Sequence, residues 1–316
     1  MKEKYLGLLE EKGILTNQHS SSIKNYFFTR PFSLFQELRA LMYLGVILLT
    51  SGLGILIYKN IDTIGHTALI GAIAIACGYC FFYAIRFARP FEYGKVVQIN
   101  IAYDYILLSG CLLFLALEGY LQFQYNVFGD AFEIATLIPA ILFLISAFRF
   151  DHIGVLSLGI TSFISLAGLI ATPNIISLID DFSSEMVFTA IGVALLLIFA
   201  GWYLKTKNLK KHFTFTFYNF GFNLLLIALL TAQINFALPL LYFIILIAAC
   251  GLLFRYAVIE KSFYFLLMSV VYAYISVTIA FFTWLDSGAA ALYYFAFSCA
   301  GVIYFFINYK KLFKAN

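Results

Sequence analysis

The sequence predicts an all-α polytopic membrane protein of about ten transmembrane helices with a small cytoplasmic helical hairpin at its N-terminus. The first observation is composition: 63% of the 316 residues are hydrophobic and only 11% are charged, whereas soluble domains are about a quarter charged. The second is a mean hydropathy of +0.94. The third is a series of apolar runs of roughly 20 residues, the length a helix needs to cross a hydrocarbon core of about 30 Å.

The segment before the first apolar run, residues 1–38, predicts the helical hairpin. Gly13 follows a leucine-rich stretch and has the character of a helix C-cap. Thr16 is suited to cap a second helix, which Pro31 would end. Such a hairpin is too short to hold a core of its own. It therefore acts either as a structural cap on the membrane domain or as a docking surface for a cytoplasmic protein partner.

The rest of the chain, residues 39–316, predicts one transmembrane helix bundle in contact with the lipid bilayer. Its apolar runs are 41–58, 64–85, 101–123, 131–148, 153–172, 185–204, 213–232, 236–254, 262–284 and 289–308.

The distribution of Lys and Arg gives an independent test of this count. Cytoplasmic segments of membrane proteins carry an excess of these two residues. With the N-terminus inside and ten spans, 19 of the 20 basic residues fall in cytoplasmic segments, and only Lys59 falls outside. Both termini are therefore expected to be cytoplasmic.

A family resemblance appears at the N-terminus and again around the fourth span. The stretch "LLEEKGILTNQHSSSIKNYF" precedes a multi-pass apolar region, and Tyr125 is followed by Gly129, Asp130 and an apolar span that closes on Arg149. This pattern resembles an uncharacterised family of bacterial membrane proteins, the domain of unknown function 2157, over roughly the first half of the chain. Phe123 departs from the glutamine that the family tends to have there. The resemblance implies a bacterial inner-membrane location and no particular activity.

The third span, "NIAYDYILLSGCLLFLALEGYLQFQYNVFGD", contains two carboxylates in an otherwise apolar run. Asp104 and Glu118 are 14 positions apart, which on a helix is about 40° short of four full turns, so they share a face about 21 Å apart. Asn100, Cys111 and Gln122 fall on the same stripe. A polar stripe in a membrane helix is expected to face protein or water.

Depth separates these two acids. Asp104 is near the predicted cytoplasmic boundary, where it could simply be interfacial. Glu118 lies deeper, where a carboxylate raises the insertion free energy by about 2.5–3.5 kcal/mol. Two interpretations remain open for Glu118: a protonated or hydrogen-bonded structural carboxyl, or a site that handles protons or a solute in a hydrophilic cavity.

A second polar stripe occurs in the later span that begins "TFTFYNFGFN". Asn219 and Asn223 recur there at helical spacing. Together with Gln122 and Tyr125 they are candidate hydrogen-bond donors to Glu118. Asp130 and Glu133, at the predicted outer end of the next span, are either interfacial or form an acidic mouth with Glu118.

Other motifs give weaker signals. The "CGYC" stretch at Cys77 and Cys80 has dithiol spacing, but it lies inside an apolar span rather than at the start of a helix, which favours helix packing. His66 is a single candidate metal ligand without a second. Pro139 and Pro239 fall inside predicted spans and predict kinks.

No set of nucleophile, base and metal ligands is recognisable, so we expect no enzyme activity, no catalytic residue, no metal and no cofactor. Scattered juxtamembrane basic residues do not predict a nucleic-acid partner. The leading functional hypothesis is a small-solute or proton-coupled transporter-like protein centred on Glu118. The alternative is a membrane scaffold or sensor whose head, residues 1–38, binds a cytoplasmic partner.

Overall fold

The computed structural model describes residues 35–96, 101–171, 183–284 and 293–298, together with His19, Ala300, Gly301 and Phe305. The chain divides into two compact units, Met1–Ile64 and Gly65–Asn316. The predicted hairpin at residues 1–38 lies almost wholly outside the described residues.

The regular structure of the described residues is helical, as the sequence predicts. The first unit contributes α1, Phe35–Ile64. The helices of the second unit are α2 (His66–Arg86), α3 (Ile101–Tyr125), α4 (Phe132–Phe150), α5 (Ile153–Ala171), α6 (Ser184–Thr206), α7 (Thr214–Asn235), α8 (Pro239–Ile259) and α9 (Phe263–Trp284). A short 3₁₀ turn, Lys211–Phe213, leads into α7.

These helices confirm the prediction of an all-α polytopic membrane protein. Within the described residues, the eight helices α2 to α9 are long and apolar enough to cross a membrane, and they begin and end within a few residues of the predicted spans. In α1 the comparable apolar stretch is shorter, Ala40–Leu49. The last predicted span, 289–308, lies largely outside the described residues, so the total of ten stays a prediction.

The second unit is a series of antiparallel hairpins. Neighbours in sequence pack most extensively: α2 with α3, α4 with α5, α6 with α7, and α8 with α9, while α7 also packs on α8. α7 is the most enclosed of the eight helices: half of the residues in its apolar stretch are buried, against 17% in α2. The side chains of α7 therefore pack against protein far more often than those of α2, most of which lie on the outside of the bundle.

Close helix packing depends on glycine at several contacts, including one in each of the two central hairpins. A Cβ on Gly221 of α7 would lie 2.8 Å from Ile198 of α6, and a Cβ on Gly159 of α5 would lie 2.9 Å from the backbone nitrogen of Leu144 in α4. Small residues let membrane helices approach until their backbones are in contact. These positions thus fix the two central hairpins.

One sequence prediction about helix geometry was wrong. Pro139 lies inside α4 as predicted, but Pro239 is the first residue of α8 and not an interior residue. A proline at that position replaces an N–H that has no helical acceptor, so it starts a helix without bending it.

The helix ends of the second unit define two ends of the bundle. The turn 126–131 between α3 and α4 marks one end, here called the Asn126 end. The turn at Asp151 and His152 between α4 and α5 marks the other, here called the Asp151 end. All Lys and Arg in the described residues from Gly65 onwards lie towards the Asp151 end: Arg86, Arg89, Lys95, Arg149, Lys205, Lys207, Lys210, Lys211, Arg255 and Lys261.

Candidate functional site

A groove of about 640 Å³ opens beside Glu118 near the Asn126 end. α3 supplies Glu118 and Gln122, α4 supplies Thr136 and Pro139, and α5 supplies a hydroxyl row that includes Thr161. α3 packs far less closely on α4 than α4 does on α5. The groove therefore occupies the seam where two hairpins meet.

The Glu118 carboxyl is the most unusual group in this groove. The residue is only 8% exposed, and among the described residues its Oε1 has no hydrogen-bond partner. Buried polar groups are almost always hydrogen-bonded. An acid left with an open acceptor beside a cavity is therefore a candidate site for a proton or a solute.

Two of the hydroxyls that line the groove have used their donors. Thr136 Oγ1 donates to the carbonyls of Phe132 and Glu133 at 3.2 and 3.1 Å. Thr161 Oγ1 donates to Ser157 O at 2.8 Å. Each hydroxyl keeps acceptor lone pairs. Pro139 has no N–H, so the Ala135 carbonyl lacks its i+4 helical donor. The groove thus offers several acceptors beside Glu118, and the Ser162 and Ser165 hydroxyls and the Asn126 amide complete its polar lining.

Gln122 lines the groove but is committed to the neighbouring turn. Its Nε2 donates to Asn126 Oδ1 at 2.9 Å and to Gly129 O at 2.8 Å. Its Oε1 accepts from the Phe128 N–H at 2.9 Å. Gly129 itself has a φ of +56°, which favours glycine. Gln122 thereby closes the end of α3 and forms the wall of the groove.

The remaining predicted acids lie apart from Glu118. Asp104 is half-buried in the first turn of α3, at the Asp151 end. Asp130 is exposed in the turn before α4, and Glu133 is half-buried in the first turn of that helix. Asp130 and Glu133 are at the same end as the groove without lining it.

Asn219 and Asn223 form a network with tyrosines of α9. Asn223 Nδ2 donates to Asn219 O and Oδ1, both at 2.8 Å. Tyr264 donates its hydroxyl to Asn219 Oδ1, and Tyr272 donates to Asn223 Oδ1 at 3.0 Å. The network joins α7 to α9. In it, the side-chain oxygens of both asparagines and the Nδ2 of Asn223 all have hydrogen-bond partners.

The structure does not bring this network to Glu118. In the described part of the chain, no residue that lines the groove takes part in the asparagine network. A second buried pair supports the same helix contact: Ser276 donates to Gln233 Oε1 at 2.6 Å and Gln233 donates to Ser276 O at 3.0 Å. These amides hold helices together, which is their usual role in membranes.

Cys77 and His66 also have structural contacts. Cys77 Sγ donates weakly to Gly110 O at 3.5 Å across the α2–α3 hairpin, and His66 Nδ1 is 2.7 Å from the Tyr120 hydroxyl. Among the described residues, no group of three or more His, Cys, Asp or Glu side chains could hold a metal ion.

Sequence reasoning missed a charged cluster at the Asp151 end. Asp151 accepts hydrogen bonds from His212 Nε2 and from the Val96 N–H, and its Oδ2 lies 3.1 Å from the Lys210 ammonium. Lys210 N donates to Tyr93 O at 2.7 Å. Three interhelical loops thus meet at one carboxylate. Each partner is about 60 positions from Asp151 in the sequence, so no local spacing could reveal the cluster.

Comparison with known proteins supports the membrane assignment. The model of a family described as "Predicted membrane protein (DUF2157)" matches residues 8–156. No curated protein and no solved structure matches the chain. The family resemblance predicted from the sequence is confirmed: the first half of this chain matches the DUF2157 family of predicted membrane proteins.

Proposed function

We propose that the protein is a transporter-like membrane protein in which Glu118 carries a proton or binds a small solute that donates hydrogen bonds. The observation that carries this proposal is the Glu118 Oε1 atom, buried and without a partner among the described residues, on a groove of about 640 Å³. Ionisable groups at membrane depth frequently mark the pathways of ions and protons.

The lining of the groove supports a donor as its occupant. Glu118, Thr136, Thr161 and the Ala135 carbonyl all present acceptor lone pairs. A protonated amine, an ammonium group or a chain of water molecules would satisfy them. Most of the remaining lining is apolar, which suits a solute with a small hydrocarbon part.

The distribution of basic residues supports an orientation with the Asp151 end in the cytoplasm. All Lys and Arg of the described second unit are at that end, as the positive-inside rule requires of a cytoplasmic face. The groove beside Glu118 then opens towards the outer face. We propose in the same way that the protein lies in the inner membrane with both termini in the cytoplasm.

Cysteine accessibility tests whether water reaches Glu118. A single cysteine at position 118, in a variant that lacks the five native cysteines, is treated with a membrane-impermeant maleimide in intact cells and in inverted vesicles. We expect labelling from one side. The matched control is Ala116→Cys, two residues away and at a similar depth. Ala116 is exposed on the outside of the bundle and does not line the groove. Absence of labelling at 118 from both sides, in folded protein, would contradict the proposal.

Proton flux in proteoliposomes tests the activity. With a pH-sensitive dye inside the vesicles and an imposed membrane potential, we expect Glu118→Gln to abolish the protein-dependent flux and Glu133→Gln to retain it. The scaffold alternative, in which residues 1–38 bind a cytoplasmic partner, predicts that Glu118→Gln has no effect in cells while deletion of residues 1–30 abolishes function.

A further inference from the structure

A second cavity lies at the Asp151 end of the bundle, whereas the Glu118 groove lies near the Asn126 end. This second cavity has a volume of about 240 Å³, and its lining includes Lys211, His212, Thr214 and Ser262. At about 30 Å³ per water molecule, this is room for a phosphate-sized group and several waters.

Two long helices begin at this cavity. The first helical hydrogen bond before α7 runs from Phe213 N to Lys210 O at 2.8 Å, so the N–H groups of Lys211 and His212 precede it. In α9 the bond from Leu266 N to Ser262 O at 3.2 Å is preceded by the Phe265 N–H. N–H groups at a helix start carry partial positive charge and favour anions.

Thr214 gives an independent indication of a ligand. The residue is 5% exposed, it lines the cavity, and its Oγ1 has no hydrogen-bond partner among the described residues. A buried hydroxyl without a partner is unfavourable by about 1–3 kcal/mol. A bound oxyanion would satisfy it, because the hydroxyl can donate to any of the anion's oxygens.

The charges around the cavity also favour an anion. Lys211 is exposed at its edge. Glu260 is the acid in the lining, and the Lys205 ammonium pairs with it at 2.5 Å. His212 Nε2 donates to Asp151, which itself lies beside the Lys210 ammonium. The acids near the cavity are thus each matched by a cation, and Lys211 remains as surplus positive charge.

We propose that this cavity binds a phosphate group, held by the Lys211 ammonium, the Thr214 hydroxyl and the N–H groups at the starts of α7 and α9. Phosphate presents several oxygens at once and so matches donors that converge from different elements. The phosphate can come from two sources: the headgroup of an anionic phospholipid, or a free phosphate in solution. The position at the helix ends makes both sources accessible.

Thermal unfolding of the full-length protein in a neutral detergent tests the site. The ligands are inorganic phosphate, with sodium chloride at matched ionic strength as reference, and short-chain phosphatidylglycerol, with phosphatidylcholine as reference. We expect a rise in the unfolding temperature. A rise with inorganic phosphate identifies a free phosphate as the source, and a rise with phosphatidylglycerol alone identifies a lipid headgroup.

Two variants tie the effect to the cavity. Lys211→Gln should raise the half-maximal ligand concentration about tenfold through loss of a charge-assisted hydrogen bond. Thr214→Val should weaken binding while the unliganded protein stays as stable as wild type or becomes more stable, because an unsatisfied hydroxyl is removed. Lys207→Gln, which removes an exposed charge at the same end outside the cavity, should bind normally.

The proposal is overturned by either of two results. One is the absence of a ligand-dependent rise in unfolding temperature for the wild-type protein with both phosphate and phosphatidylglycerol. The other is a rise of equal size and equal half-maximal concentration in Lys211→Gln and Thr214→Val, which would place the bound anion elsewhere on the protein.

Discussion

Glu118 and Asp151 are both buried carboxylates in the same helical unit, yet their surroundings are opposite. The Asp151 side chain is 1% exposed and lies within reach of His212, Lys210 and the Val96 N–H. Glu118 is 8% exposed, and its Oε1 has no partner in the described part of the chain.

This difference separates a structural acid from a candidate working one. A buried charge is stable only when opposite charge and hydrogen bonds replace the water it has lost. Asp151 has such replacements from two other loops and thereby ties the Asp151 end together. Glu118 has an open acceptor and a cavity, so its free energy depends on what enters the groove or on its own protonation.

The largest expected effect is that of Asp151→Asn. The substitution leaves the Lys210 ammonium, which is 1% exposed, without an opposite charge. We expect a loss of about 3–5 kcal/mol in the free energy of unfolding, the range for breaking a buried ion pair from one side. The measurement is denaturation by SDS titration of the protein in detergent micelles. Asp130→Asn, in an exposed turn, is the matched control and should change little; equal behaviour of the two variants would refute the structural role of Asp151.

Lys210→Met should destabilise less, by about 1–3 kcal/mol, since a buried carboxylate that loses one partner keeps its other hydrogen bonds. Those bonds come from His212 and Val96. When Lys210→Met is combined with Asp151→Asn, the double variant should lose less free energy of unfolding than the two single variants lose together. Strict additivity in this double-mutant cycle would mean that the 3.1 Å contact contributes nothing to stability.

Gln122→Ala should have a moderate effect. Three hydrogen bonds join this side chain to the turn after α3, and their loss should lower the free energy of unfolding by about 1–2 kcal/mol. Gln124→Ala, two residues later and exposed, is the control in the same titration. If both variants lose the same amount, Gln122 does not organise the turn.

Sequence reasoning predicted the helices because each depends on a local property, a continuous apolar run. It also identified Glu118, since an acid inside such a run is visible in the sequence itself. The partners of Asp151 are invisible locally, because loops distant in sequence supply them. Asn219 and Asn223 were recognised as one stripe, but their tyrosine partners on α9 depend on how helices pack. Pro239 shows the limit at helix ends: a shift of three residues in the start of α8 turns a predicted kink into a helix start.

The smallest expected effect on stability is that of Glu118→Gln. The change keeps the shape of the side chain and removes its charge, and no partner in the described residues loses an Oε1 contact. We therefore expect a change within about 0.5 kcal/mol, or a slight gain, because a neutral amide is easier to bury than a carboxylate. The same SDS titration measures it. A loss of about 2 kcal/mol or more would mean that Glu118 is tied into the fold as Asp151 is. A stable Glu118→Gln protein would leave the groove intact, so that a failure in the flux assay could be assigned to the chemistry of the carboxyl.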